Sequence, residues 1–366
     1  MSSILSIGVS GLVTNRQGMD TAGHNIANVN TEGYSRQRVE FSTRQPNLSG
    51  GHFVGSGVKT AQITRSYDDF LANSVRSSQS VTSELDAYYS GAQQLDNLVA
   101  DPNVGLQSAV QGFFNSIQGL AADPTSMAAR QVMLSESQTL VDRFHYIDGE
   151  FERSLEYTND QVSNTVRDIN AIATNIAAIN EKIVQAFGAA TNSVPNDLLD
   201  QRDQMLNDLS KLVDIQVLQQ NNGAMNVFIG KGQALVLSNQ AASLKAQPSD
   251  LDSSRLDVAL SIYSGSQIIT DQLSGGQIGG FFRYREEILD PARNQLGLVA
   301  LGLAADLNEQ HQLGLDLDGL AGSSLFSVGF VEVLDTGTNG SAITVDYDFI
   351  GNLTASDYKL CLLYTS

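Results

Sequence analysis

The residues that could perform catalysis or bind a metal are few in this sequence, and they are scattered. Its four histidines stand at positions 24, 52, 145 and 311, without the spacing of a zinc site or of a protease motif. The single cysteine, Cys361, cannot form a disulfide within the chain. We therefore predict no catalytic residue, no metal ligand and no cofactor, which disfavours a hydrolase or any other enzyme.

Three short motifs resemble functional sites only in part. Asp316-Leu-Asp-Gly319 begins like a calcium loop but lacks the glutamate that would complete it. The paired glycines at 275–276 and 279–280 have no Gly-Lys-Ser or Gly-Lys-Thr element beside them, which favours a hinge or turn over a phosphate site. The charged run Asp200-Gln-Arg-Asp203 predicts a solvated helix face with local ion pairs.

Charge and hydropathy limit the partners of the chain. A net charge of −19 over 366 residues repels nucleic-acid phosphates and anionic lipid heads. The most apolar stretch, residues 296–305, is shorter than the roughly 20 residues that a membrane span requires. The first residues lack the basic and apolar regions of a cleaved signal peptide. We therefore predict a soluble protein that binds no nucleic acid, does not insert into a membrane and has no cleaved signal.

The N-terminal segment has the heptad pattern of a helix that packs against a partner helix. Its apolar stripe consists of Leu5, Val9, Leu12, Met19 and Ile26. Arg16 and Gly23 interrupt this stripe, and the glycines of the segment weaken the helix in isolation. We predict a helix over residues 3–27 that needs a partner for stability. Because a Gly-rich arm follows it, we expect that partner to lie outside the helical bundle of the same chain.

A turn and an extended arm follow this helix. Residues 28–37 are rich in turn-forming types, and Gly33 can supply the positive φ that ends a helix. The residues predicted to shape this exit turn are Asn28, Asn30, Thr31, Gly33 and Tyr34. From residue 38 to residue 67 the apolar positions alternate among glycines, which predicts a long irregular arm with short strands.

Helical periodicity returns near residue 67. Asp101-Pro102 and Asp123-Pro124 predict helix starts, because each aspartate can cap a helix that proline opens. The longest helix is predicted over residues 148–187, with a heptad row at Leu155, Val162, Ile169, Ile176 and Ile183. Further helices are predicted over residues 195–212 and 281–310.

Between these helices the apolar period changes to two. This alternation, with a Gly230-Lys231-Gly232 turn, predicts antiparallel hairpins within residues 213–270. The predicted fold class is therefore α+β with several domains: a long N-terminal coiled-coil-type helix with its arm, an elongated helical bundle with a small antiparallel sheet, and the start of a β-rich domain. The predicted limits are 1–66, 67–314 and 315–358, with a non-native tail at 359–366.

The residues after the first helix carry a resemblance to a known family. Residues 27–37, Ala-Asn-Val-Asn-Thr-Glu-Gly-Tyr-Ser-Arg-Gln, resemble the N-terminal signature of flagellar rod, hook and hook-associated proteins. Three later stretches are similar to the hook-associated protein 1 family, which joins hook to filament: residues 196–203, 290–296 and 307–319. The combination is more specific than any one stretch, and the likeness extends from residue 1 to about residue 330.

This resemblance implies a structural axial subunit that works outside the cell in the bacterial flagellum. It implies self-association in a helical or ring assembly, with the N-terminal helix paired to a C-terminal helix that lies beyond residue 366. It also implies three kinds of partner, namely the hook protein, the second junction protein and an export chaperone, and export by the type III route. The alternatives left open are another hook or rod protein, or a secreted adhesin with a helical stalk.

Overall fold

The computed structural model describes residues 4–49, 51–101, 105–189, 194–250, 252–262 and 265–328. Long helices and short antiparallel strands make up these residues, so the predicted α+β class is confirmed. The described helices are α1 (Ile4–Ala27), α2 (Asp69–Ala100), α3 (Leu106–Ala122), α4 (Met127–Ala189), α5 (Asn196–Leu212), α6 (Gly276–Tyr284) and α7 (Asp290–Gln312). The described strands are β1 (Gln37–Thr43), β2 (Asn47–Ser49), β3 (His52–Val54), β4 (Val58–Arg65), β5 (Ile215–Gln219), β6 (Met225–Ile229), β7 (Gln233–Leu237), β8 (Gln240–Ala241), β9 (Ser243–Pro248), β10 (Leu256–Ile262) and β11 (Gly265–Ile268).

The described residues form two compact units, each built from separate stretches of the chain. The first unit takes its residues from Met1–Leu85, Asn164–Lys245 and Val258–Gly279. The second takes its residues from Asp86–Ser163, Ala246–Asp257 and Gly280–Ser366. Helices α2 and α4 contribute residues to both units, so the units are not consecutive segments. The domain limits expected at residues 66 and 314 stay a prediction.

A four-stranded antiparallel sheet in the first unit follows α5, in the order β5-β6-β7-β8. Its register places Ile215 opposite Ile229 and Val217 opposite Val227, so alternate side chains of one face are apolar. Gly230 and Gly232 both have positive φ, 53° and 105°, in the turn between β6 and β7. The predicted hairpins and their glycine turn are confirmed.

Two asparagines of α4 attach strands of the first unit to the helix. The buried Asn180 amide donates to the carbonyls of Met225 (2.8 Å) and Ser238 (2.7 Å), and its oxygen accepts from the Met225 N–H at 3.1 Å. Asn170 makes a similar pair of bonds, both 2.8 Å long, to the N–H and carbonyl of Leu244. Buried polar groups need such partners, so the two side chains fix the strands against α4.

Gly279 and Gly280 lie inside α6, where a hinge or turn was predicted, but the glycines at 275 and 276 do form a tight turn at the start of this helix. Their φ values are 67° and 60°. A Cβ added at Gly276 would lie 2.3 Å from the backbone nitrogen of Val213, at the end of α5. The second glycine therefore has a packing role as well as a conformational one, because no side chain fits at that position.

The core of the second unit forms around the first half of α4. One cluster contains Leu95, Phe151 and Leu155 together with Tyr284 and Leu289, and the Tyr284 hydroxyl lies 2.8 Å from Ser154 Oγ. Another cluster joins Phe113 of α3 to Leu140 of α4. A single π-helical turn, Arg285–Leu289, connects α6 to α7, so the helix predicted over residues 281–310 is interrupted.

The two predicted Asp-Pro helix starts are wrong. Helix α3 begins only at Leu106, after Gly105, and Asp123 instead ends α3 as its C-cap. Ser126 caps α4, because its Oγ accepts from the Ala129 N–H at 3.2 Å. As a result α4 is 63 residues long and begins 21 residues before the predicted helix.

The described end of the chain contains one isolated bridge, between Leu315 and Ala321. The Asp316 carboxylate accepts from the backbone N–H groups of Asp318 (2.9 Å) and Leu320 (2.8 Å), and this closes a turn. The rest of the predicted β-rich domain and the predicted tail, residues 329–366, lie outside the described residues.

Candidate assembly surface

One face of helix α1 packs on its own arm through polar side chains. The buried residues of α1 are Ser10, Thr14 and Thr21. Ser10 Oγ accepts from the Val58 N–H at 3.2 Å, and Gln17 Oε1 accepts from the Thr60 hydroxyl at 2.8 Å. Hydrogen bonds therefore hold α1 along the β1–β4 ribbon.

The opposite face of α1 carries the predicted stripe, and it is exposed. The exposed fractions are 74% for Leu5, 49% for Val9, 72% for Leu12, 69% for Met19 and 74% for Ile26. At 3.6 residues per turn, these side chains lie on the side away from Ser10, Thr14 and Thr21. We call these five side chains the α1 stripe, and each is at least 49% exposed. A continuous row of exposed apolar side chains is typical of a surface that contacts another protein.

The two interruptions of the α1 stripe do not cover it. Arg16 projects from the helix with its side chain 81% exposed, and it forms an i,i+4 ion pair with Asp20 at 3.7 Å. Such an exposed pair adds little stability. A Cβ added at Gly23 would meet no atom within 4 Å, so this glycine leaves a shallow depression in the stripe.

The exit turn is a hydrogen-bonded network centred on Asn25. Asn25 Oδ1 accepts from the Tyr34 hydroxyl at 2.7 Å and from the Gln37 N–H at 2.9 Å, while its amide donates to the Gln37 carbonyl at 2.9 Å. His24 Nδ1 lies 3.0 Å from the same hydroxyl. The network joins the end of α1 to the start of β1. Sequence analysis missed Asn25, because no pattern marks a side chain that binds the backbone twelve residues later.

The predicted turn residues have different surroundings. Thr31 donates to Asn28 Oδ1 at 3.2 Å, and Asn28 donates to the His24 carbonyl at 3.0 Å. Gly33 has a φ of 78°, the positive value predicted for it, and a Cβ there would lie 2.9 Å from Gln204 Oε1. Asn30 is exposed.

Helix α5 anchors the turn and the arm. The Ser35 N–H donates to Asp200 Oδ2 at 2.9 Å, and Gln37 Nε2 donates to Asp197 Oδ1 at 2.8 Å. Asn196 at the start of α5 donates to the Ile63 carbonyl at 2.9 Å. Both strands of the β1–β4 ribbon are thus bound to one helix end.

The prediction of a solvated face for residues 200–203 is wrong, because these charges are buried. Arg65, at the end of β4, lies 2.9 Å from Asp200 Oδ1 and 2.5 Å from Asp203 Oδ2, and the two carboxyl side chains are each 8% exposed. Burial alone would lower the pKa of Arg65, but the carboxylates of Asp203 and Asp200 outweigh it and raise that pKa above its ordinary value. Removing Arg65 would leave buried negative charge without its partner.

Arg202 completes this cluster from the inner side of α5. Its side chain is buried and donates to the Gly223 carbonyl at 2.7 Å. Burial lowers the pKa of its guanidinium, and the Asp203 carboxylate partly opposes that shift. The three-residue spacing of Asp200 and Asp203 was the one available signal that they share a helix face, but it did not reveal the arginine from the arm.

The described residues contain no group of three or more histidine, cysteine, aspartate or glutamate side chains placed to hold a metal ion. A groove of about 560 Å³ lies between β4 and the start of α5, and its lining includes Gln17, Gln37 and Asn196 but no histidine or cysteine. Within the described ranges, no helix combines the length and apolar character that crossing a bilayer requires.

Comparison with known families agrees with the resemblance in the sequence. Residues 92–326 match the family described as flagellar hook-associated protein FlgK helical domain. Residues 5–34 match the family described as flagella basal body rod protein. The second match covers α1 and the exit turn, so this N-terminal segment is shared with rod proteins.

The relatives and solved structures similar to the chain include flagellar hook-associated or hook junction proteins of three bacteria. Flagellar hook-associated protein 1 of Salmonella typhimurium is 33% identical over 365 residues, and that of Escherichia coli K12 is 34% identical over 364 residues. Each alignment covers 98% of this chain and 66% of the relative, so the chain spans just under two thirds of their length. The flagellar hook junction protein FlgK from Burkholderia pseudomallei superposes with a TM-score of 0.66 and 35% identity, over 70% of this chain and 47% of that one. The chain belongs to the flagellar hook-associated protein 1 (FlgK) family.

Proposed function

We propose that this chain is a structural subunit of the bacterial flagellum that takes part in joining the hook to the filament, and that it has no enzymatic activity. Support comes from relatives over 98% of the chain that are named hook-associated protein 1, and from a similar structure of a hook junction protein. The observation that carries the proposal is the α1 stripe, whose side chains are 49–74% exposed.

The mechanism we propose is burial of the α1 stripe between stacked subunits. The polar face of α1 is already occupied by the arm, so the face left for a partner is the apolar one. Burying one such side chain contributes about 1.5–3 kcal/mol, and ordering of the joined segments opposes part of this gain. Five stripe residues repeated in every copy would favour a closed ring or a helix of subunits.

The partners that follow from this function are other flagellar proteins. We propose self-association of the chain, contacts with the hook protein and with the second junction protein, and a chaperone during export. The proposed location is the hook–filament junction outside the cell. Nucleic acid and membrane insertion are not part of the proposal, since a net charge of −19 opposes binding to phosphate-rich surfaces.

Another rod or hook subunit is a weaker candidate. The rod-protein match covers residues 5–34, whereas the FlgK helical-domain match covers residues 92–326. The rod-protein match therefore describes only the N-terminal helix and the exit turn. The FlgK helical-domain match is much longer, and it favours the junction family.

The test is a pair of double variants in the full-length protein. Leu12→Asp with Met19→Asp places two charges on the α1 stripe and should abolish incorporation into flagella, because a carboxylate cannot be buried there without large cost. Val13→Asp with Ala22→Asp places the same charges on the two flanks of the stripe, roughly 60–100° around the helix from Leu12 and Met19. Both positions are exposed, and this variant should incorporate normally.

The readouts are filament attachment and swimming of a strain that lacks its own copy of the gene, complemented by each variant. Circular dichroism of the purified proteins should show the same helix content for both variants. Normal filament attachment with the Leu12→Asp, Met19→Asp variant would refute the proposed role of the α1 stripe.

A further inference from the structure

The far end of the arm is a small hairpin that exposes apolar side chains. Among the described strands, β2 and β3 pair only with each other, and their register places Leu48 directly opposite Phe53. Directly paired residues of an antiparallel ribbon lie on the same face, so these two side chains form one apolar patch. Their exposed fractions are 67% and 76%. We call this patch the hairpin tip.

The hairpin tip lies beyond the part of the arm that is bonded to α1. Strand β1 starts near the C-terminal end of α1, where Gln37 bonds to Asn25. Strand β4 returns along the helix in the direction of α1, where Val58 bonds to Ser10 and Thr60 bonds to Gln17. The hairpin lies beyond the bond between Val58 and Ser10, at the N-terminal end of α1. A two-stranded ribbon with three residues in each strand is marginally stable in water, so it gains most from a surface that covers its apolar face.

The charge of this region is opposite to that of the rest of the chain. Residues 1–67 contain six lysines and arginines and three aspartates and glutamates, which gives a net charge of +3. The remaining 299 residues contain 15 basic and 37 acidic side chains, a net charge of −22. Two exposed cations, Arg44 and Lys59, flank the base of the hairpin, where the Arg44 N–H donates to the Gly57 carbonyl at 2.9 Å.

We infer that the hairpin tip docks on the acidic body, residues 68 onward, of a second copy of this chain. Leu48 and Phe53 supply the buried apolar contact, and Arg44 and Lys59 face carboxylates of the neighbour. A second copy is the occupant because its body carries the complementary charge and because stacking holds copies at high local concentration. The contact joins two different surfaces, so it propagates from copy to copy around a ring or along a helix. This inference rests on the proposed function, since it requires stacked subunits.

The direct experiment maps what the hairpin tip touches. A photo-crosslinking analogue of phenylalanine replaces Phe53 in the full-length protein, and assemblies are formed from a mixture of unlabelled and isotope-labelled copies. Crosslinked peptides that join a labelled to an unlabelled copy, with the second site after residue 67, are the expected result. Crosslinks confined within one copy, or directed to a different protein, would overturn the inference.

Substitutions measure how much the hairpin tip contributes to assembly, and a control substitution lies on the same hairpin. Leu48→Ser with Phe53→Ser should raise the concentration needed for assembly by about tenfold or more, as loss of a buried contact does. Val54→Ser removes an apolar side chain from the other face of the ribbon, opposite Asn47, and should leave that concentration nearly unchanged. Equal effects of the two substitutions would contradict the inferred face.

Salt dependence separates the hairpin contact from the α1 stripe. Arg44→Glu with Lys59→Glu should weaken assembly at about 0.05 M NaCl and have much less effect at about 0.5 M, because salt screens exposed charges. Normal assembly by the hairpin variants with failure of the Leu12→Asp, Met19→Asp variant would sink this inference and leave the proposed function intact. Normal assembly by all of these variants would contradict both this inference and the proposed role of the α1 stripe.

Discussion

Helices α1 and α4 have the same seven-residue apolar repeat, yet the structure treats the two rows in opposite ways. In α4 the row Leu155, Val162, Ile169, Ile176 and Ile183 is at most 5% exposed. In α1 every predicted stripe residue is at least 49% exposed. A heptad row thus shows that a helix face requires burial, but it does not show whether the partner belongs to the same chain.

The neighbours of each helix explain the difference. Other segments of the chain cover the apolar row of α4, whereas the arm occupies the polar face of α1 and forms hydrogen bonds with it. The apolar row of α4 therefore stabilises the isolated chain. The apolar row of α1 contributes free energy only when a partner covers it, which is the property expected of an assembly surface.

The largest effect on the isolated chain should come from Arg65→Ala. This variant leaves the buried Asp200 and Asp203 carboxylates without their shared cation, and it should lower the free energy of unfolding of the first unit by about 3–5 kcal/mol. Urea denaturation followed by circular dichroism measures this loss. Arg16→Ala, at an exposed ion pair of α1, is the control and should change stability by less than about 1 kcal/mol. A similar small change for Arg65→Ala would show that the buried cluster is not stabilising.

The comparison between the two heptad rows is tested directly by matched truncations. Ile176→Ala creates a cavity at a fully buried position and should lower the free energy of unfolding by about 2–5 kcal/mol. Leu12→Ala removes a similar volume from the α1 stripe and should change it by less than about 0.5 kcal/mol in the isolated chain. The concentration needed for assembly should show the reverse order, because Leu12→Ala should raise it more than Ile176→Ala does. Equal destabilisation by both variants in the isolated chain would contradict the conclusion that only the apolar row of α4 stabilises the isolated chain.

A smaller effect is expected at two glycines of the N-terminal segment. Gly33→Ala forces a side chain into a φ of 78° against Gln204 and should destabilise the exit turn by about 1–2 kcal/mol. Gly23→Ala meets no neighbour within 4 Å and should stabilise α1 by about 0.4–1 kcal/mol. Amide hydrogen exchange of α1 and β1 distinguishes these local effects. Faster exchange in both variants would contradict the assignment of open space at Gly23.

The smallest destabilisation of the exit turn is expected for Tyr34→Phe. This variant removes one hydroxyl, which donates to Asn25 and lies 3.0 Å from His24 Nδ1, and should cost about 0.5–1.5 kcal/mol. Exchange of the β1 amides near Gln37 should become faster, while exchange in the four-stranded sheet should stay the same. Uniformly faster exchange across the first unit would mean that the turn is coupled to the whole unit.

The sequence predicted elements best where a long local pattern decides the structure. Residues 4–27, the helix after Pro195 and the hairpins near Gly230 follow from periodicity and turn chemistry, and the structure has them. The Asp-Pro helix starts failed because a two-residue signal cannot compete with a neighbouring cap such as Ser126. In α4 the heptad row lies mostly in the C-terminal half of the helix, so the prediction missed the first 21 residues.

The candidate site could be predicted only in part, because its polar contacts join distant segments. The α1 stripe is a local pattern, so the sequence could predict it, and its role in packing between subunits stays a prediction. The buried cluster was missed because Arg65 is 135 residues away from Asp200 in sequence, and two acids three residues apart fit a solvated helix face equally well. Asn25 and Asn180 bind backbone groups, for which no particular partner residue type is required, and a sequence contains no signal for such bonds.

The attachment of the arm to α5 also has a mechanical consequence. Ser35, Gln37, Ile63 and Arg65 are all bonded to the first two turns of one helix, so a pull on α1 loads these bonds side by side. Bonds loaded together share the force and must break nearly at once, whereas bonds loaded in series open one after another. The joint between α1 and α5 should therefore transmit tension and torque with little deformation.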